Sequence, residues 1–413
     1  MTAAAQSSRR VHRGVVSPRL KTCVFALAGS NSLATTWFFY YLYFYTRDTF
    51  GFSQLQNFEL AALLGGVYAV FAYFAGRFAQ KAGYFCALRL GLGIMITALL
   101  LGSHAGAVWI VLALVIVANI GMCFTWPSLE SLMSEGESRE RLRSLVGIYN
   151  FTWAAASGLA YATSGAMRTS FGPRSMFYAP LVLLALEMFL SIWLERQVNN
   201  QPSVASNNPS PRMAPTAELR HSQVPPATFL KMAWLANPMA YLAINTIVAT
   251  IPTLVLHFHL TQTLAVVVCS VWLFTRAGAF MLLWFWSGWH YRFRFLAGAF
   301  AAMVVSFGSM LLATTLWMLV LSQAVLGFSF ALMYYSALFY SMDVGETKGE
   351  HSGIHEAVIG AGNCSGPAIA AAALLLFPAH PASGTLAVCL LLACALAVLF
   401  WLRFKPAATQ SRS

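Results

Sequence analysis

The sequence predicts an all-α membrane protein of twelve transmembrane helices arranged as two six-helix bundles. Three observations carry that expectation. Charged residues make up 9% of the 413-residue chain against 59% hydrophobic, with a mean hydropathy of +0.66, and a water-facing surface cannot be built from so few charges. Apolar runs of the roughly 20 residues that cross a bilayer recur along the whole length. Basic residues collect in every second gap between those runs, as loops on the inner side of a membrane do.

In chain order the runs fall at approximately 22–46, 58–76, 86–103, 107–132, 145–167, 176–195, 230–257, 263–287, 294–313, 315–341, 353–378 and 383–403. The first follows a short basic tail and is too long for a signal-peptide core, so it reads as a retained span. The longest polar interruption, 198–228, holds Asn207, Pro209, Pro211, Pro215, Pro225 and Pro226. It cannot bury enough apolar surface to fold alone. The expected organisation is therefore a tail (1–21), a six-helix unit (22–197), a linker (198–228), a second six-helix unit (229–404) and a closing tail (405–413).

With the first residue inside, 21 of the 25 basic residues fall in inner segments. Arg47, Arg168 and Arg174 lie outside, and Arg276 is left within a span. Moving the helix count by one in either unit destroys this asymmetry, so orientation and count support each other. An inner (plasma) membrane location with both termini cytoplasmic is expected.

Several function classes are disfavoured. The net charge of +12 sits in loops rather than on a continuous polar face, which argues against nucleic acid. The seven cysteines form no CxxC pair and lie in or beside apolar runs, so neither a zinc site nor a disulfide framework is expected. No phosphate-binding Gly-x-x-x-x-Gly-Lys-Ser loop appears. Acidic residues sit mostly in loops and at span ends rather than clustered at mid-depth, which counts against an embedded enzyme. No cofactor or metal is expected. The aromatic run from Trp37 to Tyr45 at the outer end of the first span reads as an interfacial belt, with one or two rings left to line a path.

The two halves share a weak repeat. Gly136-Glu137-Ser138-Arg139 and Gly147-Ile148-Tyr149-Asn150 correspond to Gly345-Glu346-Thr347-Lys348 and Gly353-Ile354-His355-Glu356, and Ser157-Gly158 corresponds to Ser365-Gly366. Between the second and third runs lies Gly76-Arg77-Phe78-Ala79-Gln80-Lys81-Ala82-Gly83. With six plus six spans and a long central loop, the chain resembles the major facilitator superfamily. That glycine-flanked loop is similar to the family signature, with Gln80 where an aspartate is usual. The Gly360, Gly362, Gly366-Pro367 run in the eleventh span resembles the drug-antiporter branch. The resemblance implies a central cavity between the halves.

Arg276 is the sharpest candidate for that cavity. A guanidinium inside a span costs about 2.5–3.5 kcal/mol on insertion scales and needs compensation. A neighbouring helix could supply it, or a substrate carboxylate or phosphate gripped by the planar fork. Asn31, Asn119, Asn150, Asn245 and Asn363 fall in spans that the resemblance puts around the cavity, with Trp126, Tyr334 and Tyr335 as further lining candidates. Glu130, Glu187, Glu356, Arg77 and Lys81 are the gating or coupling candidates. Glu356 and His355 are expected to open the eleventh span at its inner end, where the helix dipole favours negative charge.

The function expected from all this is secondary transport of a small solute by alternating access, an organic anion being one substrate class. A proton-coupled drug antiporter is the alternative, and a non-transporting receptor or membrane-embedded enzyme is the reading of another class. The expected partners are a small-molecule substrate and the lipid bilayer, with a coupling proton left open and a monomer as the unit.

Overall fold

A computed structural model describes residues 16–200, 224–344 and 348–405. Most of the expected tails, most of the linker, and the Gly345-Glu346-Thr347 part of the repeat lie outside the described residues. The helices are α1 (Lys21–Phe39), α2 (Leu42–Phe50), α3 (Gln54–Ala82), α4 (Tyr84–Gly102), α5 (Val108–Ser134), α6 (Arg139–Phe171), α7 (Ser175–Asn199), α8 (Pro226–Leu254), α9 (Gln262–Cys269), α10 (Val271–Phe285), α11 (Phe293–Leu311), α12 (Leu316–Val344), α13 (Lys348–Leu376) and α14 (Ser383–Phe404). A single 3-10 turn, Val255–Phe258, extends α8.

Among the described residues, ten helical stretches are long and apolar enough to cross a membrane. The predicted runs outside those ten are the first and the fifth. Their helices, α1 and α6, carry Ser32, Thr35, Thr36, Asn150, Ser157 and Ser164, all buried. Their polar groups turn toward the interior, which lowers hydropathy without exposing those groups to lipid. The outside of the molecule is correspondingly apolar, with Phe74, Trp109, Phe189, Leu375 and Leu390 exposed.

Two expected spans are broken. The first stops at Tyr40 and resumes as α2. The eighth is interrupted at Ser270, where the Gln323 amide donates to the Val268 carbonyl at 3.1 Å. Such breaks persist at membrane depth only when neighbouring groups satisfy the freed backbone.

Small residues set the closest helix pairings. Antiparallel α3 and α13 bring the N-terminal and C-terminal halves of the chain together along most of their length. A Cβ on Gly65 would overlap the backbone of Asn363 and Cys364, one on Gly360 would overlap Ala69, and one on Gly76 would lie 2.6 Å from the Gly353 Cα. Small faces of this kind let helix backbones touch in the absence of a hydrophobic drive.

Lys21 is buried at the foot of α1. Its Nζ donates to the Leu132 and Met133 carbonyls at 3.1 and 2.6 Å and pairs with Glu137 at 3.3 Å. It thereby satisfies carbonyls that the end of α5 leaves open. Lys21→Met should lower stability by about 1–3 kcal/mol, read as a fall in the thermal midpoint of the detergent-solubilised protein.

The aromatic run from Phe38 to Tyr45 corrects the belt expectation. Phe38, Phe39, Tyr41, Tyr43, Phe44 and Tyr45 are buried, because neighbouring helices cover this stretch: Phe38 and Tyr45 pack on Phe177 of α7, and Thr46 donates to Asn57 of α3.

Candidate functional site

Between the halves lies a cavity of about 150 Å³. From the N-terminal half it is lined by Ser32, Thr35 and Thr36 of α1, Tyr40 at the break, Tyr43 of α2, Tyr68 of α3, Asn119 and Trp126 of α5, and Trp153 and Ser157 of α6. From the C-terminal half come Tyr241 and Asn245 of α8, Arg276 of α10, Tyr334 of α12, and Glu356 and Asn363 of α13. Helices α4, α7, α11 and α14 contribute nothing to the lining and form the periphery.

Arg276 is 2% exposed. Its guanidinium lies between the rings of Trp153 (4.6 Å) and Trp272 (5.0 Å). The Tyr40 ring stacks on Trp272, and its hydroxyl sits beside the guanidinium. Nε is buried without a hydrogen-bond partner, and among the described residues Arg276 makes no ion pair. Two indole faces hold the fork rigid and supply some cation–π stabilisation; the Tyr40 hydroxyl accepts from the guanidinium, and Nε is left without an acceptor among the described residues. α10 can carry this group so deep because Gly327 of α12 lies against it: a Cβ there would overlap Thr275 and sit 2.9 Å from the Arg276 nitrogen.

Toward the Arg77 end, a second polar group forms across the halves. The carboxyl oxygens of Glu130 and Glu356 and a ring nitrogen of His355 lie within 4.8 Å of one another. Tyr68 donates to Glu356 at 2.6 Å and Tyr334 to Glu130 at 3.3 Å. The structure corrects the placement expected for His355 and Glu356: α13 begins at Lys348, so both lie inside the helix and are buried rather than marking its surface end.

The candidate residues divide. Arg276, Asn119, Trp126, Asn245, Tyr334, Asn363 and Glu356 line the cavity, and Asn245 donates to Asn363. Asn31 instead bonds Thr125 between α1 and α5, and Asn150 accepts from Trp153 at 3.2 Å. Both lie behind the wall because their positions on α1 and α6 face neighbouring helices. Tyr335 packs against Trp289 and Phe280, one residue round α12 from the lining Tyr334. Glu187 is buried on α7, a peripheral helix. Arg77 lies over Tyr73 in a small cleft with Gln80 and Gly353, and Lys81 is exposed near the end of α3.

Sequence reasoning missed Thr35, Thr36, Tyr68, Trp153 and Tyr241. The Ser32, Thr35, Thr36 spacing of three and four residues was a legible one-sided polar stripe; the aromatic residues give no comparable signal in so aromatic a chain.

At the opposite end Asp48 ties the halves together. It accepts from Arg47 at 2.7 Å, from Arg168, and from Gln262 at 2.8 Å. Arg47 also donates to the Pro252 carbonyl. Burial works against the Asp48 charge, but hydrogen bonds from Arg47 and Arg168 outweigh it and hold the carboxyl below its ordinary value. A depressed carboxyl stabilises the closed arrangement at and above the ordinary range and loses that contribution as pH falls through the lowered value. Acidification below the ordinary Asp range should therefore loosen this end, and Asp48→Asn should do so at neutral pH. Spin labels at Thr49→Cys and Leu264→Cys would report the longer distance.

The chain matches the family model described as Major Facilitator Superfamily over residues 25–367. No curated protein is similar enough in sequence to match it. Among solved structures, a point mutant of the nucleoside transporter NupG is similar at 14% identity and TM-score 0.66, covering 94% of this chain and 100% of its own. The human organic anion transporter MFSD10 (TETRAN) is similar at 13% identity and TM-score 0.67, covering 93% and 98%. A bacterial homolog of the human lysosomal transporter Spinster, inward-facing and occupied, is similar at 12% and 0.64, covering 94% and 98%. At these identities the likeness is one of fold.

Proposed function

The chain belongs to the major facilitator superfamily, and on that premise we propose that it moves a small organic anion across the membrane by alternating access. Membership makes it a membrane transporter rather than an enzyme. The observation that carries the substrate class is the unpaired, tryptophan-clamped guanidinium of Arg276 in the cavity wall. A fixed cation in a low-dielectric site lacks its compensating charge until an anion arrives, and a carboxylate or phosphate suits the planar fork, whose Nε has no partner of its own.

In this reading α1 and α6 also cross the bilayer, giving twelve spans in two bundles of six. The excess of basic residues supports a cytoplasmic side for both termini and the Arg77 end, and an inner membrane is part of the same reading. The halves meet at both ends of the cavity, through Asp48 and Gln262 outside and Gly76 and Gly353 inside, which suits a state with the substrate site shut from both sides. The antiporter alternative would place a cationic drug beside an unpaired guanidinium, an unfavourable contact. That MFSD10 is an organic anion transporter agrees with an anion, although the residues of this chain carry the reading.

Uptake into proteoliposomes of radiolabelled mono- and dicarboxylates, organic phosphates and cationic dyes tests the proposal. Saturable uptake of one anion class is the expected result. Saturable uptake of cations alone would overturn it.

A further inference from the structure

We infer that the transported anion is a monocyclic aromatic monocarboxylate that also carries a hydroxyl group. Its carboxylate is held by Arg276, its ring by the wall of Trp153, Tyr334 and Tyr241, and its hydroxyl by the Asn245–Asn363 pair. This substrate class rests on the anion reading above and narrows it.

Rings connect the cation to the amides. The Arg276 guanidinium lies 4.6 Å from the centre of the Trp153 ring. Trp153 meets Tyr334 edge to face at 5.5 Å, and Tyr334 meets Tyr241 at 6.2 Å. Tyr241 stands one turn before Asn245 on α8. Trp153, Tyr334, Tyr241 and Asn245 all line the cavity, so an aromatic wall runs from the guanidinium to the amide pair. A ring packed on such a wall gains offset or edge-to-face contacts that a saturated ring of the same area lacks.

The amides supply the second recognition element. Asn245 Nδ2 donates to the Tyr241 carbonyl at 3.3 Å and to Asn363 Oδ1. Only a donor can face that carbonyl, which fixes the orientation of the Asn245 amide. Asn245 Oδ1 and Asn363 Nδ2 are then left without a partner among the described residues. An acceptor and a donor thus stand on two hydrogen-bonded residues of the lining. One hydroxyl satisfies both, donating to the first and accepting from the second. A ring without that group displaces water from both atoms and returns nothing.

Size and charge narrow the choice further. A cavity of about 150 Å³ is on the scale that encloses one benzene-sized ring. A ring with small substituents approaches its limit, and a nucleoside exceeds it. Apart from tyrosines, the ionisable residues of the lining are Arg276 and Glu356, and Glu356 accepts from Tyr68 at 2.6 Å. One guanidinium serves one carboxylate. A second anionic group on the ligand would meet a lining that offers a carboxyl and, among the described residues, no further cation.

Calorimetric titration of the purified full-length protein tests this with 4-hydroxybenzoate, benzoate, 4-hydroxycyclohexanecarboxylate, terephthalate, succinate and 4-hydroxybenzamide. 4-Hydroxybenzoate should bind tightest. Loss of the hydroxyl, in benzoate, should weaken binding about 5-fold or more. Saturating the ring should weaken it roughly 3- to 10-fold, and terephthalate, with a second carboxylate, should bind at least about 10-fold more weakly. Asn245→Leu should bring 4-hydroxybenzoate down to the affinity of benzoate and leave benzoate within about twofold, a pattern that general loosening of the cavity does not give.

Equal wild-type affinities for 4-hydroxybenzoate and benzoate, or for 4-hydroxybenzoate and its saturated counterpart, would overturn the inference, and neither comparison needs a variant to fold. Tighter binding of succinate than of any ring acid would also overturn it while leaving the anion reading intact. Equal binding of 4-hydroxybenzoate and 4-hydroxybenzamide would remove the anion reading, and the carboxylate with it.

Discussion

Arg276→Gln is expected to weaken anion binding by roughly 30-fold or more while leaving expression and thermal midpoint close to wild type. Glutamine is shorter but still offers hydrogen bonds, and it removes the cation that the cavity wall directs at the ligand. Truncating one partner of a buried charge pair costs about 2–5 kcal/mol, which sets the lower end of that range. The protein itself should be unharmed, because among the described residues no carboxylate is left unpaired when the guanidinium goes. Arg276→Lys should fall between. It restores the charge but not the planar fork that two indole faces hold, so affinity should recover in part and discrimination between carboxylate and phosphate should change. Calorimetric titration of the purified variants with the best anion from the uptake screen measures all three. Equal affinities for wild type and Arg276→Gln would remove the basis for an anionic substrate.

Gly65→Ala should abolish most transport, although it adds a single methyl group. That carbon would overlap the Cys364 and Asn363 backbone, and backbone cannot move aside as a side-chain tip does. Overpacking of this kind costs about 1–3 kcal/mol. Here it falls only on the arrangement in which α3 and α13 touch, lowering the closed-to-open ratio roughly 5- to 150-fold. Gly66→Ala is the matched control. Its added carbon would find only the Cys364 Sγ at 3.6 Å, an ordinary contact, and flux should be retained. A flux assay on both variants, normalised to the amount reconstituted, separates the seam from a general intolerance of alanine in α3.

Much of the fold was legible because lipid writes a strong signal: apolar length gave the spans, and the spacing of arginine and lysine suggested their direction. What the residue pattern obscured follows from the same physics. α1 and α6 line the polar cavity, so their composition is the least membrane-like, and an observer counting hydropathy alone would lose them. Arg276 stood out because a charge in a span demands an explanation. The acid pair did not, since Glu130 and Glu356 lie more than two hundred positions apart and each reads alone as a helix-end residue. Their meeting depends on how α5 and α13 cross, a matter of tertiary packing. His355 was misplaced for a simpler reason: α13 begins five residues earlier than its apolar run, so residues that belonged to a helix interior looked like its threshold.

The polarity of α1 and α6 has a consequence for how the chain is made. If both cross as proposed, neither partitions firmly into the bilayer as it leaves the ribosome, since each carries its polar face before the cavity that will shelter it exists. α6 must therefore be retained by helices already inserted, and α1 must linger at the insertion channel until a later helix arrives to cover its Ser32, Thr35 and Thr36 face. Biogenesis of this protein is thus expected to depend on pairing during synthesis, and nascent chains truncated just after α1 should slip from the membrane more readily than chains ending after α5.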